Sequence, residues 1–259
     1  MNNKVSIVMP CFNAEKFLKH SIQSVLKQSH SNFELLIVND GSKDNSLDIL
    51  KEYARRDKRI ILLNNRYEKG ASGARRTAYD KASGRFLAFL DSDDIWKKEK
   101  LKKQISFMLK NELSFCYSHY ETIDRKITYH APKIITFEKL LFTNFIPCLT
   151  VIIDLKTLPH IDFPSIKKRN DYAIWLSIFE KNKTVRSGCC NMHLAFYREN
   201  NYGLSSNKLS NIYFAYKNIR SHGKQNIISS VFFTFFHAVI ALLKKVSPKS
   251  YNYLIDHII

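Results

Sequence analysis

Acidic residues are scarce in this sequence, and its cysteines follow no ordered spacing. The 259 residues include 23 Asp and Glu against 41 Lys and Arg, which gives a formal net charge of +18 at pH 7. The five cysteines are odd in number and show neither Cys-x-x-Cys nor Cys/His spacing. Neither a disulfide framework nor a zinc site is therefore indicated, and a reducing, cytosolic compartment is expected.

A signal peptide and a nucleic-acid-binding motif are also missing. A strand-like apolar run starts at Val5, which leaves no room for a secretory leader, so we do not expect export. The excess of positive charge predicts attraction to nucleic acid, an anionic membrane surface or phosphorylated substrates. Tyr and Phe lie among the Lys and Arg of residues 208–224, but without a recognised motif we expect no nucleic-acid partner.

Apolar and aromatic residues are abundant enough for a folded chain. Hydrophobic residues make up 45% of the sequence, which excludes a disordered protein and allows one large domain with an appendage. Short apolar runs alternate with helical patterns, which predicts an α/β fold with a mostly parallel sheet flanked by helices. The predicted strands are residues 5–9, 33–38, 60–63 and 86–90. The less regular pattern after residue 113 predicts a mixed second half that completes the sheet.

Polar turns follow three of these predicted strands, at residues 10–13, 40–42 and 91–94. In a parallel sheet the strand-to-helix turns share one edge, so the three turns are expected to converge and form a binding site.

The last of these turns contains three carboxylates, from Asp91, Asp93 and Asp94. Their mutual repulsion is costly unless a cation or a hydrogen-bond network compensates it. Oxygen ligands suit Mg²⁺ or Mn²⁺, which complete their shells with substrate phosphates, so a diphosphate-bearing substrate is inferred. The alternative is that these residues only cap the helix that follows.

A second candidate acid lies far along the chain, where residues 170–176 predict the start of a helix. Asn170 is its expected cap, and Asp171 is expected in the first turn. The ordinary explanation for such an Asp is a surface residue that complements the helix dipole.

Residues 227–243 contain no formal charge, and three lysines at positions 244, 245 and 249 follow them. Seventeen residues lie at the lower limit for a spanning helix. Interfacial membrane contact is the favoured interpretation, and a buried or dimer helix and a true span are the alternatives. The excess of Lys and Arg after residue 205 would hold this end on an anionic surface.

The chain resembles the family 2 nucleotide-sugar glycosyltransferases, which have the GT-A fold. Four segments in the family's order and spacing carry the resemblance, which is strong over residues 4–105 and looser to about residue 200. These segments are residues 5–14 (VSIVMPCFNA), 33–44 (FELLIVNDGSKD), 70–77 (GASGARRT) and 89–94 (FLDSDD).

The resemblance implies which residues bind the nucleotide of the donor. Asp40 matches the carboxylate that recognises the uracil edge, and Pro10, Phe12 and Asn13 would line the same pocket. Arg75 falls where the family has a basic residue near the donor.

The resemblance also implies the residues around the reacting groups. Asp91 and Asp93 match the Asp-x-Asp pair that holds Mn²⁺ or Mg²⁺, with Asp93 as the direct ligand. Asp91 would contact ribose, sugar or a metal-bound water, and Ser92 belongs to the same donor site. Asp171 matches the general base, and Trp175 is expected on the acceptor side.

Two positions depart from the family pattern. Asn39 stands where the family commonly has a first Asp, and Asn170 stands in place of the Glu before the base. Because Asp40 and Asp171 remain, activity is expected.

The resemblance extends to enzymes that build bacterial O-antigen or capsule. It implies inverting transfer of glucose or galactose from a UDP-sugar to an undecaprenyl-diphosphate-linked sugar, such as GlcNAc, by an enzyme peripheral to the inner face of the cell membrane. Residues 1–118 would form the nucleotide-sugar-binding half, residues 119–205 the acceptor-binding half of the same domain, and residues 206–259 a helical tail for membrane association. A nucleotidyltransferase on the same fold and a non-catalytic nucleotide-binding scaffold are the alternatives.

Overall fold

A mixed sheet of nine strands forms the centre of residues 3–199 and 208–257, the part of the chain that the computed structural model describes. The strands are β1 (Val5–Cys11), β2 (Phe33–Asn39), β3 (Ile60–Asn64), β4 (Phe86–Phe89), β5 (Ile95–Trp96), β6 (Phe115–Thr122), β7 (Thr128–Tyr129), β8 (Ile152–Asp154) and β9 (Ser187–Tyr197). Their spatial order is β3-β2-β1-β4-β8-β6-β9-β5, and β7 pairs with β6 at the side.

Nine α-helices and one short 3₁₀ turn, Cys148–Thr150, accompany the sheet within those described ranges. The helices are α1 (Leu18–Leu26), α2 (Ser46–Arg56), α3 (Ala71–Tyr79), α4 (Lys100–Asn111), α5 (Phe137–Phe142), α6 (Asn170–Lys181), α7 (Lys208–Ser221), α8 (Ile227–Val246) and α9 (Pro248–His257).

The first four strands of the chain are parallel, as the sequence predicts. β1 lies between β2 and β4, and β2 pairs with β3, all in parallel register. Every residue of β2 and β4 is buried, which is typical of parallel strands covered on both faces. The carboxyl ends of these strands share one edge of the sheet, and their turns meet there.

The second half of the sheet is mixed. β8 runs antiparallel to both β4 and β6, whereas β9 is parallel to β6 and antiparallel to β5. The division proposed at residue 118 falls inside β6, so the two predicted halves share one continuous sheet.

The carboxylates at the end of β4 do not cap a helix. Asp91 to Asp94 form a turn in which the Asp94 amide donates to the Asp91 carbonyl, 3.1 Å away. The short strand β5 follows, and α4 begins only at Lys100. The capping alternative is therefore wrong.

The helix cap predicted at Asn170 is also wrong, and Asn13, which precedes the predicted second element, caps no helix either. Asn13 lies five residues before the first residue of α1, in the left-handed region with φ of 47°. Its side chain instead accepts a hydrogen bond from the Lys43 amide at 2.8 Å, which ties the turn after β1 to the turn after β2. Asn170 is the first residue of α6 rather than its cap, and Arg169 holds the cap position with φ of 54°.

Candidate active site

The turns after β1 and β2 are bound to each other at the carboxyl edge of the sheet. The Asp40 amide donates to the Cys11 carbonyl at 2.9 Å, and the Asn13 amide donates to the Ser42 hydroxyl at 3.1 Å. Pro10 is the last residue but one of β1. Phe12, the first residue after that strand, is 52% exposed. The predicted convergence of these two turns is therefore present, with an aromatic ring open to solvent beside it.

Asp40 is buried and receives two hydrogen bonds. The Asn65 amide group donates to Oδ1 at 2.6 Å, and the Gly70 backbone amide donates to Oδ2 at 2.7 Å. Gly70 has φ of +121°, a conformation that residues with a side chain rarely adopt, and it directly precedes α3. The carboxylate thus fixes the start of α3 against the end of β2.

Arg75 of α3 connects the acidic turn, residues 91–94, to the start of α6. Its Nη2 lies 2.5 Å from Asp91 Oδ1 and 3.3 Å from the sulfur of Cys148, and its Nη1 donates to the Asn170 side chain. Burial disfavours the charge of Arg75, but Asp91 and other nearby acidic groups raise its pKa above the ordinary value. Asn170 immediately precedes Asp171, so the Arg75 guanidinium links Asp91 to the helix start that carries Asp171.

The remaining carboxylates of the acidic turn face like charge. Burial and the neighbouring Asp91 raise the pKa of Asp93 to about 6. Burial and then Asp93 raise the pKa of Asp94 well above its ordinary value, although Asp94 Oδ1 accepts from the Arg198 amide at 2.8 Å. Ser92 contributes its carbonyl, which accepts from the Ser21 hydroxyl at 2.9 Å and anchors the turn to α1.

The donor set at this turn fits a hard divalent cation. Among the residues that the structure describes, no three His, Cys, Asp or Glu side chains cluster as a complete metal cage. Asp91 and Asp93 supply two carboxylates, and their repulsion is the kind that a cation relieves. Mg²⁺ commonly takes one or two carboxylates and completes its shell with substrate phosphates, so a two-carboxylate turn is adequate.

Asp171 lies in the first turn of α6, as predicted. Its Oδ2 accepts from the Asn144 amide group at 3.0 Å, and its Oδ1 accepts from the Tyr172 amide at 2.8 Å. Burial raises the pKa of Asp171, and the nearby charges of Arg75 and Arg169 partly oppose that rise. A carboxylate whose pKa is raised by burial is a good candidate for general-base chemistry.

Trp175 is not available to an acceptor. Its side chain is fully buried, and the indole N–H donates to the Ile146 carbonyl at 3.1 Å. The ring packs edge-on against Phe89 and Phe115, with centroids 5.6 Å and 5.2 Å away. The prediction of an acceptor contact is replaced by a core role, because Trp175 lies one turn beyond Asp171, where α6 packs against β4 and β6.

We expect Trp175→Phe to lower the free energy of unfolding by about 1–3 kcal/mol, because it removes buried volume and a hydrogen bond. The KM for the acceptor should remain within twofold of the parent value. Denaturant unfolding and steady-state kinetics on the same preparation check both expectations. A selective rise in the acceptor KM with unchanged stability would contradict the core assignment.

Several residues of the site had no signal in the sequence. Cys148 donates its thiol to Asp91 at 3.3 Å, Asn144 holds Asp171, and Arg198 contacts the acidic turn. All three come from the irregular second half of the chain, where the elements are joined by long-range contacts. Asn65 was not predicted either, although it follows β3 directly and the rule about carboxyl ends of parallel strands could have found it.

Comparison with known families accounts for this arrangement. Residues 6–161, more than half of the chain, match the family described as Glycosyl transferase family 2. The chain belongs to glycosyl transferase family 2. It is a glycosyltransferase. The strand-end carboxylates described above lie within the matched residues, whereas Asp171 of α6 lies beyond them.

Two curated relatives from Escherichia coli carry the same activity in their names. The chain is 47% identical over 211 residues to WfgD, a UDP-Glc:α-D-GlcNAc-diphosphoundecaprenol β-1,3-glucosyltransferase, covering 80% of this chain and 82% of WfgD. It is 36% identical over 241 residues to WfaP, whose name gives the same reaction, covering 92% of this chain and 90% of WfaP.

Solved structures show the same fold. TarS 1–349 of S. aureus in complex with UDP-GlcNAc superposes with a TM-score of 0.69 at 19% identity, over 94% of this chain and 74% of that one. The mannosyltransferase PcManGT of Pyrobaculum calidifontis, in complex with GDP-Man and Mn²⁺, gives a TM-score of 0.68 at 11% identity, over 98% and 79% of the two chains. Both likenesses confirm the GT-A fold.

Proposed function

We propose that this glycosyltransferase moves glucose from UDP-glucose to the GlcNAc of a diphosphoundecaprenol-linked acceptor, with inversion, during O-antigen or capsule assembly. The observation that carries the proposal is that Arg75 bonds both Asp91 and Asn170. It thereby holds Asp91 of the acidic turn beside the first turn of α6, where Asp171 lies. The 47% identity to WfgD supports the choice of donor and acceptor.

The donor occupies the carboxyl edge of the first four strands in this proposal. Asp40, already oriented by Asn65 and Gly70, accepts the uracil N–H. Pro10, Phe12 and Asn13 line the base pocket, and the exposed ring of Phe12 offers a stacking surface.

The sugar diphosphate then reaches the acidic turn. Arg75 fixes the Asp91 carboxylate beside the donor sugar. The Ser92 carbonyl, bonded to the Ser21 hydroxyl, fixes the backbone of the same turn. Asp91 and Asp93 hold Mn²⁺ or Mg²⁺, which when bound acts as a Lewis acid for the departing nucleoside diphosphate.

Asp171 acts on the acceptor. Its carboxylate takes the proton of the attacking hydroxyl as the new glycosidic bond forms and the bond to the UDP oxygen breaks. Because the base and the leaving group lie on opposite faces of the sugar, the anomeric configuration is inverted, as in hydrolases that use a base on the far face. Asn144 and the Tyr172 amide keep the carboxylate in one orientation.

Incubation of the full chain with Mn²⁺, a panel of UDP-sugars and a GlcNAc-diphosphate-lipid tests the proposal. Transfer from UDP-glucose, release of UDP and a linkage read by NMR would support it. Transfer only to a soluble protein or nucleotide would overturn it, and release of pyrophosphate would indicate the nucleotidyltransferase alternative instead. Binding of UDP without any product would favour the scaffold.

Helix α8 provides a surface for the anionic membrane. Within the described residues, α8 is the one helix that is both long enough and apolar enough to cross a bilayer. Only 17% of its most apolar stretch is buried. Its polar residues Ser230, Thr234 and His237 face the protein, whereas the outward face is apolar. The exposed residues of that face are Ile227, Ile228, Val231, Phe232, Phe235, Val239, Leu242 and Val246.

This distribution favours a helix that lies on the membrane. A lone spanning helix is surrounded by lipid, whereas Phe233 and Phe236 of α8 pack against Phe142 of α5, with ring centroids 5.0 Å and 5.7 Å away. An outward apolar face with the exposed Lys245 at its end suits the boundary between headgroups and acyl chains of an anionic bilayer. The enzyme would thus be peripheral on the cytoplasmic face of the cell membrane.

We expect Phe235→Asp to weaken binding to vesicles of anionic phospholipid by about tenfold or more, because a buried Phe side chain contributes roughly 1.5–3 kcal/mol. Co-sedimentation with vesicles measures the change. Ile61→Asp on β3, at the opposite end of the sheet, is the matched control and should bind as the parent does. Equal losses in the two variants would contradict the assignment of α8.

A further inference from the structure

Three basic side chains meet where α8 packs against the start of α6. Arg169 directly precedes α6, and its Nη1 donates to Nε2 of His237 at 2.5 Å. His237 is buried, and Lys244 lies two turns further along the same face of α8. The ammonium group of Lys244 lies 4.9–5.2 Å from three tyrosine ring centroids, those of Tyr120, Tyr129 and Tyr251.

The positive charge of this group is not neutralised by a direct ion pair. Among the described residues, no carboxylate lies within 4.0 Å of Arg169 or Lys244. Burial and the nearby Arg169 lower the pKa of Lys244 to about 8, and burial lowers the pKa of Arg169. Glu199 acts on Lys244 from a distance, but its carboxylate is already paired with Arg125.

Two polar nitrogens in the same group lack partners. Nε of Arg169 and Nδ1 of His237 are both buried and have no hydrogen bond to the described residues. Buried donors are almost always satisfied in proteins, and leaving one without an acceptor costs about 1–3 kcal/mol. Arg169 also keeps φ of 54°, a left-handed conformation that costs a residue with a side chain roughly 1–2 kcal/mol. Unpaired donors and uncompensated cations together indicate an anion site.

We propose that Arg169 and Lys244, with His237 orienting Arg169, bind the diphosphate of the lipid-linked acceptor. The inference rests on the proposed function, because it takes the acceptor to be a sugar diphosphate. It adds a site on the acceptor side, separate from the Asp91 to Asp94 turn that would receive the diphosphate of the donor.

The position of the three residues agrees with the order of groups in such an acceptor, in which a diphosphate joins the sugar to the lipid. Arg169 is two residues from Asp171, at most about 7 Å along the chain, which is similar to the width of one sugar ring. Lys244 belongs to the helix whose outward face is apolar. A sugar at Asp171 and a lipid at the surface of α8 would therefore leave the diphosphate beside Arg169 and Lys244.

The test compares three acceptors with the same GlcNAc: one on a decyl diphosphate, one on a decyl monophosphate and one on an uncharged decyl glycoside. We expect the parent enzyme to prefer the diphosphate. Arg169→Met and Lys244→Met should each raise the KM for the diphosphate acceptor by about 10–100-fold and leave the KM for the uncharged glycoside within twofold. Affinity for UDP-glucose should not change.

Lys181→Met is the matched control, because Lys181 is exposed at the far end of α6 and should keep the parent preference. Arg169→Lys should restore part of the preference, since it returns the charge. If Arg169 only positioned Asp171, Arg169→Met would lower the transfer rate to all three acceptors by the same factor. That result would overturn the inference. Equal use of charged and uncharged acceptors by the parent would also overturn it, whereas transfer to none of them would instead contradict the proposed function.

Discussion

The Asp171→Asn enzyme is expected to lose about 10²–10⁴-fold in kcat while binding UDP-glucose almost as tightly as the parent. The physical reason is that an amide cannot take the proton of the acceptor hydroxyl, and loss of a positioned base costs a rate factor of that size. The shape of the side chain is kept, because Asn has the size of Asp and its carbonyl oxygen can still accept the hydrogen bond from the Tyr172 amide.

Initial rates with saturating acceptor, together with calorimetric titration of UDP-glucose, measure the two effects separately. Glu180→Gln, on the same helix α6 and paired with Lys224, is the matched control and should retain full activity. A fall in donor affinity as large as the fall in kcat would assign Asp171 to the donor site and leave the mechanism without a base.

The pH dependence follows from the direction of the pKa shift at Asp171. Only the ionised carboxylate accepts a proton, and burial raises its pKa above the usual value for Asp. Activity should therefore fall as the pH falls through this raised pKa, at a higher pH than an exposed Asp would give. The profile of kcat at saturating Mn²⁺ measures it, and a flat profile down to the usual pKa of Asp, about 3.9, would contradict the assignment.

Asp93→Asn is expected to abolish both turnover and the effect of Mn²⁺ on donor binding, with a fall in kcat of at least about 10²-fold. Burial and Asp91 raise the pKa of Asp93 to about 6, so the ionised form of this carboxylate is destabilised and a bound cation would stabilise it. Its replacement by an amide removes the charge while keeping the size of the side chain.

Titration of UDP with and without Mn²⁺ separates this effect from a change in folding. The parent should bind UDP more tightly with the ion, and Asp93→Asn should bind equally under both conditions. Asp48→Asn, an exposed carboxylate on α2, is the control and should behave as the parent. A persistent metal effect in Asp93→Asn would move the metal to other ligands.

Local pattern was sufficient to predict the parallel half of the sheet and the carboxylates at its edge. An apolar run such as residues 86–90 can be only a strand or a short buried helix, and the acidic turn after it restricts the choice. Because parallel strands place their following turns at one edge, Asp40 and Asp91 could be assigned to a common site before any coordinates. The family resemblance added Asp171, which no local rule connects to the other two.

Contacts between distant residues could not be predicted in this way. Asp171 and Trp175 are four positions apart and therefore lie on the same face of α6, yet Asp171 is at the site and Trp175 is buried in the core. The difference depends on position along the helix, because the second turn of α6 packs against Phe89 of β4, whereas the first turn is held to Arg75 through Asn170. The bridge from Arg75 to Asn170 and the contact from Cys148 to Asp91 join residues far apart in sequence, where no periodicity gives a signal.

Helix α8 shows the same division between composition and packing. The amino-acid order fixes a long apolar helix, because residues 227–243 carry no formal charge and suit no other element. Folding decides that Ser230, Thr234 and His237 turn inward and that the apolar residues remain outside, since α5 and the start of α6 offer partners for one face only. Hydrophobic patterning specifies which elements form, but the energy of burying one particular face depends on neighbours that the chain brings together only when it folds.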